Sequence, residues 1–190
     1  MNWESFFIKY NIDWAKFLVS RDRNEIKSFA KKIKYPVYLK ANDLNHKSDK
    51  GGVIFVQSPK DMETALQKIY KLSKTFLVQE SVKGREIIIG CSNDKTFGSY
   101  IMVGLGGIFT EAIGDVAYGI NPIDIHTAKR MIEKLKFNMI LGPYRGNRNA
   151  KEDIAKLLVK LSNIAYKEKI NFEFNPVIIT DKSMKVVDFR

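Results

Sequence analysis

Short apolar runs and helical periodicities alternate along the first half of the chain. Four runs of five residues each predict strands: 16–20, 36–40, 52–56 and 76–80. Between them, apolar residues recur at offsets of three and four along 22–33 and 58–72, which predicts two helices with one apolar face each. This alternation is typical of helices packed against a sheet, so the sequence predicts an α/β fold.

Both of these predicted helices begin with residues that can cap an N-terminus. Asp22 and Glu25 stand three residues apart, which is the spacing of a capping box. Ser58 precedes Pro59 at the first helical position and Asp61 at the third. We therefore expect the helices to start at these two places.

The pattern changes at Gly84. Two apolar strands, 86–91 and 99–103, flank a turn-rich segment that starts at Ser92, and together they predict a hairpin. Two helices and two strands are then expected along 124–135, 150–167, 173–180 and 184–189. Asp124 can cap the first of these helices.

Length and composition are those of one globular unit. The chain has 190 residues, 45% of them hydrophobic, and we expect two lobes at about 14–83 and 84–190, with an N-terminal helix in 1–13. The longest weakly polar stretch, 99–109, contains three glycines and is shorter than the roughly 20 apolar residues that span a bilayer. The first residues lack the pattern of a signal peptide. We expect a soluble, cytoplasmic protein with no membrane partner.

The formal net charge of +11 raises the question of a polyanionic partner. Most lysines, however, fall on the outer faces of predicted helices, and no basic run with interleaved aromatics or RNA-binding motif occurs. Nucleic acid is therefore disfavoured as a partner, and the charge suits phosphate groups in general. The single cysteine, Cys91, lies in an apolar run and is expected to be a buried structural thiol.

A lysine and two glycines could hold nucleotide phosphates. Lys40 ends a predicted buried strand, and Gly51 and Gly52 open the next strand. An ammonium group beside glycines whose backbone N–H groups are accessible can bind phosphate. A lysine extending from a strand end above an ordinary hairpin fits the same residues. The pattern is neither a Walker A loop nor the dinucleotide fingerprint.

His46 lies in the polar loop between these strands, with Lys47, Ser48 and Asp49 around it. An imidazole can act as a nucleophile toward phosphorus, and a nearby acid can fix its tautomer. From the residues alone, an exposed loop histidine is the simpler interpretation. His126, in the first turn of a predicted helix, is expected to be a surface residue.

Oxygen ligands near the C-terminus suggest a metal site. Glu173 and Asn175 alternate with apolar neighbours, so both point to one face of a strand, and a hairpin would bring Asp188 opposite Asn175. Such ligands suit Mg²⁺ that carries nucleotide phosphates, although cross-strand surface polar residues remain an equal alternative. Pro176 cannot donate to a sheet ladder, which predicts an edge or a bulge.

The link between the two predicted lobes could face an adenine ring. Glu80 ends the last strand of the first lobe, and 81–84 leads to the second. Such a hinge can offer backbone donors and acceptors to a ligand, and Glu86 is within reach of it.

Taken together, these segments resemble the ATP-grasp subunit of the ADP-forming acetyl-CoA and acyl-CoA synthetases, relatives of succinyl-CoA synthetase. The matching strings cover nearly the whole chain in order: Tyr35-Pro36-Val37 through Lys40, His46-Lys47-Ser48-Asp49, Gly51-Gly52-Val53, Val78-Gln79-Glu80, Gly84-Arg85-Glu86, Gly104-Leu105-Gly106-Gly107-Ile108-Phe109 with Glu111, Tyr144-Arg145-Gly146, Asn175-Pro176 and Val187-Asp188.

The resemblance implies an ATP-grasp fold of two α/β subdomains, with ATP or ADP and Mg²⁺ in the cleft between them. It also implies an acid–thiol ligase that works as a hetero-oligomer. A CoA-binding, alpha-type partner subunit would cleave acyl-CoA with phosphate, and the phosphoryl group would travel to ADP on this chain.

The resemblance implies a role for each candidate residue. His46 would be a transient phosphohistidine that relays the phosphoryl group. Phosphates would be held by Lys40, Gly51 and Gly52. The adenine and ribose would be lined by Glu80, Val82 and Glu86. Magnesium would be bound by Asn175 and Asp188, with Glu173 beside them.

The chain departs from the family pattern at several points. Gly119 stands where the family has an arginine, and Asn171 where it often has a glutamate. A subunit that binds nucleotide but transfers phosphate poorly is therefore an alternative. A stand-alone ATP-grasp ligase that activates a carboxylate is another, and a basic nucleotide-sensing or nucleic-acid-binding module is the non-enzyme alternative.

Overall fold

The computed structural model describes residues 2–43, 51–106 and 113–190. The chain forms two compact units, Ala15–Val82 and a second unit that combines Met1–Trp14 with Lys83–Arg190. The described helices are α1 Trp3–Lys9, α2 Arg23–Ile33, α3 Pro59–Tyr70, α4 Ile125–Lys134 and α5 Lys151–Glu168, with a 3₁₀ helix at Asn138–Leu141. The described strands are β1 Phe17–Ser20, β2 Val37–Ala41, β3 Val53–Val56, β4 Phe76–Glu80, β5 Arg85–Asp94, β6 Gly98–Leu105, β7 Val116–Ile120, β8 Phe172–Ile179 and β9 Met184–Val186.

The Ala15–Val82 unit contains an antiparallel sheet in the order β1-β4-β2-β3. On β2, the fully buried Val37, Leu39 and Ala41 alternate with the half-buried Tyr38 and Lys40. The buried set shares a core with the apolar faces of α2 and α3. The two-residue period of the strand therefore directs Lys40 to the opposite face of the sheet.

Both predicted helix starts are confirmed, but only one of the two helices has a capping box. At α3, Ser58 is the N-cap as predicted, and it forms a capping box with Asp61, whose carboxylate accepts from the Ser58 N–H at 3.0 Å. At α2, Asp22 is the N-cap, but the Glu25 carboxylate accepts from Ser20 Oγ at 2.6 Å. The predicted capping box of α2 is therefore wrong, because a nearby hydroxyl takes the place of the backbone donor.

The second unit is built on an antiparallel sheet in the order β7-β6-β5-β8-β9. One face shares a large core with α4 and α5, to which alternate residues of β5 and β6 contribute. Helix α1 adds aromatic contacts to this core, since Phe7 packs with Phe174 and Phe189 at ring distances of 5.7 and 5.2 Å. The N-terminal segment thus belongs with the second unit.

Some details of this sheet differ from the sequence expectations. The predicted hairpin is present, but β5 continues through Ser92 to Asp94, and the Asp94 carboxylate caps a later turn by accepting from Thr96 and Phe97. Strand β7 was not predicted at all. Among the described residues, no helix has the combined length and apolarity needed to cross a bilayer.

A bulge interrupts the pairing of β5 with β8. Ile87 pairs with Val177, whereas Ile89 pairs with Phe174, so β8 has one extra residue between these pairs. The extra residue falls at Asn175 and Pro176, which confirms the bulge predicted from the proline. Because of the shift, Phe174 and Val177 are both buried in the core although they are three positions apart.

Candidate functional site

Lys40 is held in place on the sheet of the Ala15–Val82 unit. Its ammonium donates to Gln79 Oε1 at 2.8 Å, and Gln79 is only 2% exposed. Strands β2 and β4 pair side by side, which brings these two side chains together on the face opposite the helices. A lysine bound to a buried amide is pre-positioned for an anion more firmly than one that extends freely into solvent.

The two glycines lie beside the strand that carries Lys40. Gly52 accepts a backbone hydrogen bond from Ala41 at 2.8 Å, which brings it next to the end of β2. Gly51 has a φ of +65°, a conformation that side-chain-bearing residues rarely adopt. The neighbourhood of Lys40 and Gly52 thus agrees with the sequence, while their role in phosphate binding stays a prediction.

His46 lies outside the described residues, but the chain that leads toward it is described as far as Asp43. The Asp43 carboxylate accepts from Ser73 Oγ at 2.9 Å and from Thr75 N at 3.2 Å. The hydrogen bond from Ser73 lowers the pKa of Asp43. Asp43 therefore anchors the start of the His46 segment to the region before β4, a role that no local sequence signal indicated.

Glu80 and Val82 lie at the end of the same unit. The Glu80 carboxylate accepts from the Lys16 N–H at 3.1 Å, and the Glu80 N–H donates to the Lys16 carbonyl at 2.8 Å. Val82 is half-buried and outside any strand. The Glu80 side chain thus helps to fix the start of β1, and its predicted contact with a nucleotide remains a prediction.

Glu86 belongs to the second unit, at the start of β5, with its side chain exposed. Its carbonyl accepts from Gly106 N at 2.7 Å, and a Cβ added at Gly106 would lie 2.5 Å from Glu86 Cβ. A Cβ added at Gly84 would lie 2.1 Å from the Ile179 carbonyl oxygen. Two glycines of the family strings therefore allow the backbone approaches that fix Glu86.

Arg85 has an extensive hydrogen-bond set that the sequence did not predict. Its guanidinium donates to the carbonyls of Ile140, Gly142 and Arg148, the last two at 3.2 and 2.9 Å. Burial lowers the pKa of Arg85, and the neighbouring Arg148 lowers it further. Arg85 thereby ties the segment after the 3₁₀ helix to the start of β5. In the sequence, only its position between Gly84 and Glu86 in a family string indicated that Arg85 is important.

The predicted metal ligands lie at neighbouring positions on β8 and on the segment that follows β9. Asn175 N donates to the Asp188 carbonyl at 2.9 Å, so these two residues are direct cross-strand neighbours, as the hairpin predicted. Glu173 alternates with the buried Phe172 and Phe174 and therefore points away from the core. The three predicted ligands therefore lie at adjacent backbone positions, and their function as ligands stays a prediction.

The chemistry of this set fits magnesium that arrives with a nucleotide. Mg²⁺ prefers oxygen ligands and keeps several waters, so one or two carboxylates suffice when phosphates complete the shell. Among the described residues, no group of three or more His, Cys, Asp and Glu side chains could hold a metal ion. A cation here would depend on the amide oxygen of Asn175 as well as on Glu173 and Asp188.

A groove of about 420 Å³ opens beside Glu173, the one predicted metal ligand that lines it. Its lining includes Glu173, Arg190, Gly90, Tyr100 and Tyr118. No sequence pattern indicated Arg190, which forms an ion pair with Glu173 at 2.6 Å.

The two family departures have different surroundings: Gly119 faces the core side of β7, whereas Asn171 lines the same groove as Glu173. A Cβ added at Gly119 would lie 2.8 Å from Met131 Sδ and 3.0 Å from Ile123 Cγ2, so a side chain there would start toward α4 and the core. Asn171 accepts from Asn93 Nδ2 at 2.7 Å. The absence of the family's arginine at position 119 therefore concerns packing beneath β7, on the face of the sheet opposite the Glu173 side chain.

Cys91 and His126 have the environments that the sequence predicts. Cys91 is buried, and burial raises the pKa of its thiol to about 12, so it stays protonated at neutral pH. This confirms the predicted structural thiol. His126 is exposed in the first turn of α4, as expected.

A protein-family model described as an ATP-grasp domain matches residues 2–190. "Acetate--CoA ligase [ADP-forming] I" of Archaeoglobus fulgidus is 36% identical over 196 residues, which cover 95% of this chain and 29% of that protein. "Acetate--CoA ligase [ADP-forming] I subunit beta" of Pyrococcus furiosus is 32% identical over 95% of this chain and 85% of the subunit. The chain thus spans less than a third of one relative and most of the other.

A similar solved structure is that of the dinucleotide forming acetyl-coenzyme A synthetase 1 of Ca. Korarchaeum cryptofilum, in complex with coenzyme A and Mg-AMPPCP. Its phosphohistidine segment points towards the nucleotide binding site. It superposes with a TM-score of 0.84 at 32% identity, covering 98% of this chain and 88% of that chain.

Proposed function

The chain belongs to the ATP-grasp family, and we propose that it is the nucleotide-binding part of an ADP-forming acyl-CoA synthetase. The overall reaction converts acyl-CoA, ADP and phosphate into the free acid, ATP and CoA. This chain binds Mg-ADP and receives the phosphoryl group through His46. A CoA-binding, alpha-type partner subunit supplies the acyl-CoA and phosphate chemistry.

The extent of the likeness supports this division of labour. The chain matches 85% of a beta subunit from Pyrococcus furiosus, whose name implies a separate alpha subunit. It matches only 29% of the Archaeoglobus ligase, and the other parts of that longer protein lie outside the match. CoA binding is therefore assigned to the partner.

The proposed residue roles follow the family strings. Lys40 and the backbone of Gly51 and Gly52 hold phosphate oxygens. Glu80, Val82 and Glu86 contact the adenine and ribose. Phosphoryl transfer needs positioned cations more than acid–base groups, and Lys40, already bonded to the buried Gln79, is a cation of that kind.

The observation that carries the proposal most is the cross-strand pair of Asn175 and Asp188, joined by a 2.9 Å backbone hydrogen bond. With Glu173 on the same face, the pair offers the oxygen ligands that magnesium uses when it carries phosphates. When bound, the ion would neutralise charge on the phosphate oxygens.

The proposal is tested by reconstitution. The purified chain is mixed with its CoA-binding partner, acyl-CoA, phosphate, ADP and magnesium, and both ATP and acid-labile protein-bound phosphate are measured. We expect His46→Ala to abolish both products. The matched control is His126→Ala, which removes the only other histidine of the chain and lies exposed on α4; it should leave both at the wild-type level.

Two results would contradict the proposal. ATP formation at an unchanged rate by the His46→Ala protein would show that no relay through this residue occurs. ATP-dependent ligation of a carboxylate by this chain without any partner would indicate the stand-alone ligase, which needs no relay histidine.

A further inference from the structure

Arg190 lies directly opposite Glu173 on the face that carries the predicted magnesium ligands. The Glu173 N–H donates to the Arg190 carbonyl at 2.8 Å, and the Arg190 N–H donates back to the Glu173 carbonyl at 3.0 Å. Such reciprocal bonds define a hydrogen-bonded cross-strand pair. The backbone of Arg190 is therefore positioned by the sheet rather than by the contacts of its side chain.

The guanidinium of Arg190 forms an ion pair with Glu173 Oε1 at 2.6 Å. The Arg190 side chain is 78% exposed, and the Glu173 side chain is 30% exposed. An ion pair with so much solvent access contributes little stability. Its position beside Glu173 is thus easily exchanged for another partner.

Asn175 shares the same carboxylate oxygen. Its Nδ2 lies 3.5 Å from Glu173 Oε1, at the outer limit of hydrogen bonding. A carboxylate can only accept hydrogen bonds, so the amide nitrogen faces Glu173 and the amide oxygen is directed away from it. Glu173 thereby orients Asn175 for a cation while it is itself occupied by Arg190.

We propose that Arg190 is a phosphate-binding residue of the nucleotide site, and that its guanidinium rests on Glu173 while no metal nucleotide is bound. A divalent cation at Glu173 repels the guanidinium, and the phosphate that accompanies the cation attracts it. The planar guanidinium presents paired donors that match phosphate oxygens. The Glu173 carboxylate thus binds Arg190 when no metal nucleotide is present and binds the cation when one is.

Space for a phosphate group exists next to this pair. Gly90 is the cross-strand partner of Glu173 on the other side of β8, and it contributes no side chain to the face. Glu173, Arg190 and Gly90 all line the groove of about 420 Å³. The guanidinium can therefore leave Glu173 and remain within reach of a ligand in the groove.

This inference rests on the proposed nucleotide-binding function, and two binding measurements on the Arg190→Ala chain test it. Bare Mn²⁺, followed by electron paramagnetic resonance, should bind about threefold more tightly than to the wild type, because the competing cation is gone. Mg-ADP, followed by calorimetry, should bind about tenfold more weakly, because a charged hydrogen bond to phosphate is lost. The two changes have opposite signs.

Two further variants sharpen the test. Arg190→Lys keeps the charge but loses the paired donors, so Mn²⁺ binding should stay near the wild-type value while Mg-ADP binding weakens by about threefold. Arg130→Ala removes an exposed arginine on α4 that forms no ion pair among the described residues. It should change neither affinity by more than about twofold.

A purely structural role of Arg190 would weaken both ligands together, and that result would overturn the proposal. Unchanged affinities in Arg190→Ala would overturn it as well. A wild-type chain that binds no Mg-ADP would instead refute the proposed function, and with it the phosphate role of Arg190. The Mn²⁺ result would then decide only whether the guanidinium competes for Glu173.

Discussion

Replacing Arg85 with alanine should remove the side-chain hydrogen bonds that join strand β5 to the 3₁₀ helix and the segment that follows it. The guanidinium donates to three backbone carbonyls, those of Ile140, Gly142 and Arg148. Ile140 lies in the 3₁₀ helix, whereas Gly142 and Arg148 lie in the segment 142–149, which has no regular secondary structure. In the variant all three carbonyls lose their charged donor, and among the described residues the Gly142 carbonyl keeps only its hydrogen bond from the Tyr144 N–H at 2.8 Å.

The magnitude follows from the three contacts. A hydrogen bond to a charged group contributes roughly 1.5–3 kcal/mol, and partial exposure favours the lower end of that range. The lowered pKa of Arg85 shows that burial of the guanidinium offsets part of this gain. We therefore expect the free energy of unfolding to fall by about 3 kcal/mol, which for a chain of this size lowers Tm by roughly 6–12 °C.

Urea and thermal unfolding, followed by far-ultraviolet circular dichroism, measure this loss. Arg85→Lys should recover less than half of it, because one ammonium group cannot reach three separated carbonyls. Arg130→Ala, with its single 3.4 Å contact to Thr127, is the matched control and should stay within about 0.5 kcal/mol of the wild type. A loss below about 1 kcal/mol in Arg85→Ala would show that these three hydrogen bonds contribute little to stability.

Two other positions give testable outcomes. Gly106→Ala should destabilise the chain by about 1–3 kcal/mol and weaken Mg-ADP binding, since its Cβ would lie 2.5 Å from that of Glu86; the control Gly142→Ala, with 3.4 Å to its nearest neighbour, should do neither. The thiol of Cys91, whose pKa burial raises to about 12, contributes stability that is complete below pH 9 and is lost as the pH rises toward 12. The stability advantage of the wild type over Cys91→Ala should therefore shrink by about 1 kcal/mol between pH 9 and pH 10 in urea titrations, and a constant gap would contradict the assignment.

Local patterns were sufficient where one residue type has a narrow structural use. The proline at 176 predicted an edge or a bulge, because a residue without an N–H cannot continue a ladder, and β8 has the bulge. Spacing across the last turn predicted that Asp188 would lie opposite Asn175. Asp124 was predicted to cap α4, and its carboxylate accepts from Thr127 N at 2.7 Å.

Expectations failed where a distant partner competes with the local pattern. The carboxylate of Glu25 binds the hydroxyl of Ser20 instead of closing a capping box. Strand β7 was missed because its five residues include a glycine, which is depleted in strands, and because pairing with β6 holds it in place. Ser92 continues β5 because Tyr100 of β6 pairs with it.

The order and spacing of the family strings were determined by the sequence alone, and so were the α/β class and the identity of the candidate oxygen ligands. Periodicity and short motifs depend on residues that are close in sequence, so they can be recognised without the structure. Only the tertiary structure decided three features: the partners of Arg85, the ion pair of Arg190 with Glu173, and the side of β7 that Gly119 faces. These depend on residues that lie 17 to 63 positions apart for the two arginines, and on the packing of α4 beneath β7 for the glycine. A side chain finds such partners only when the sheet register has brought the strands together, and no local pattern encodes that register.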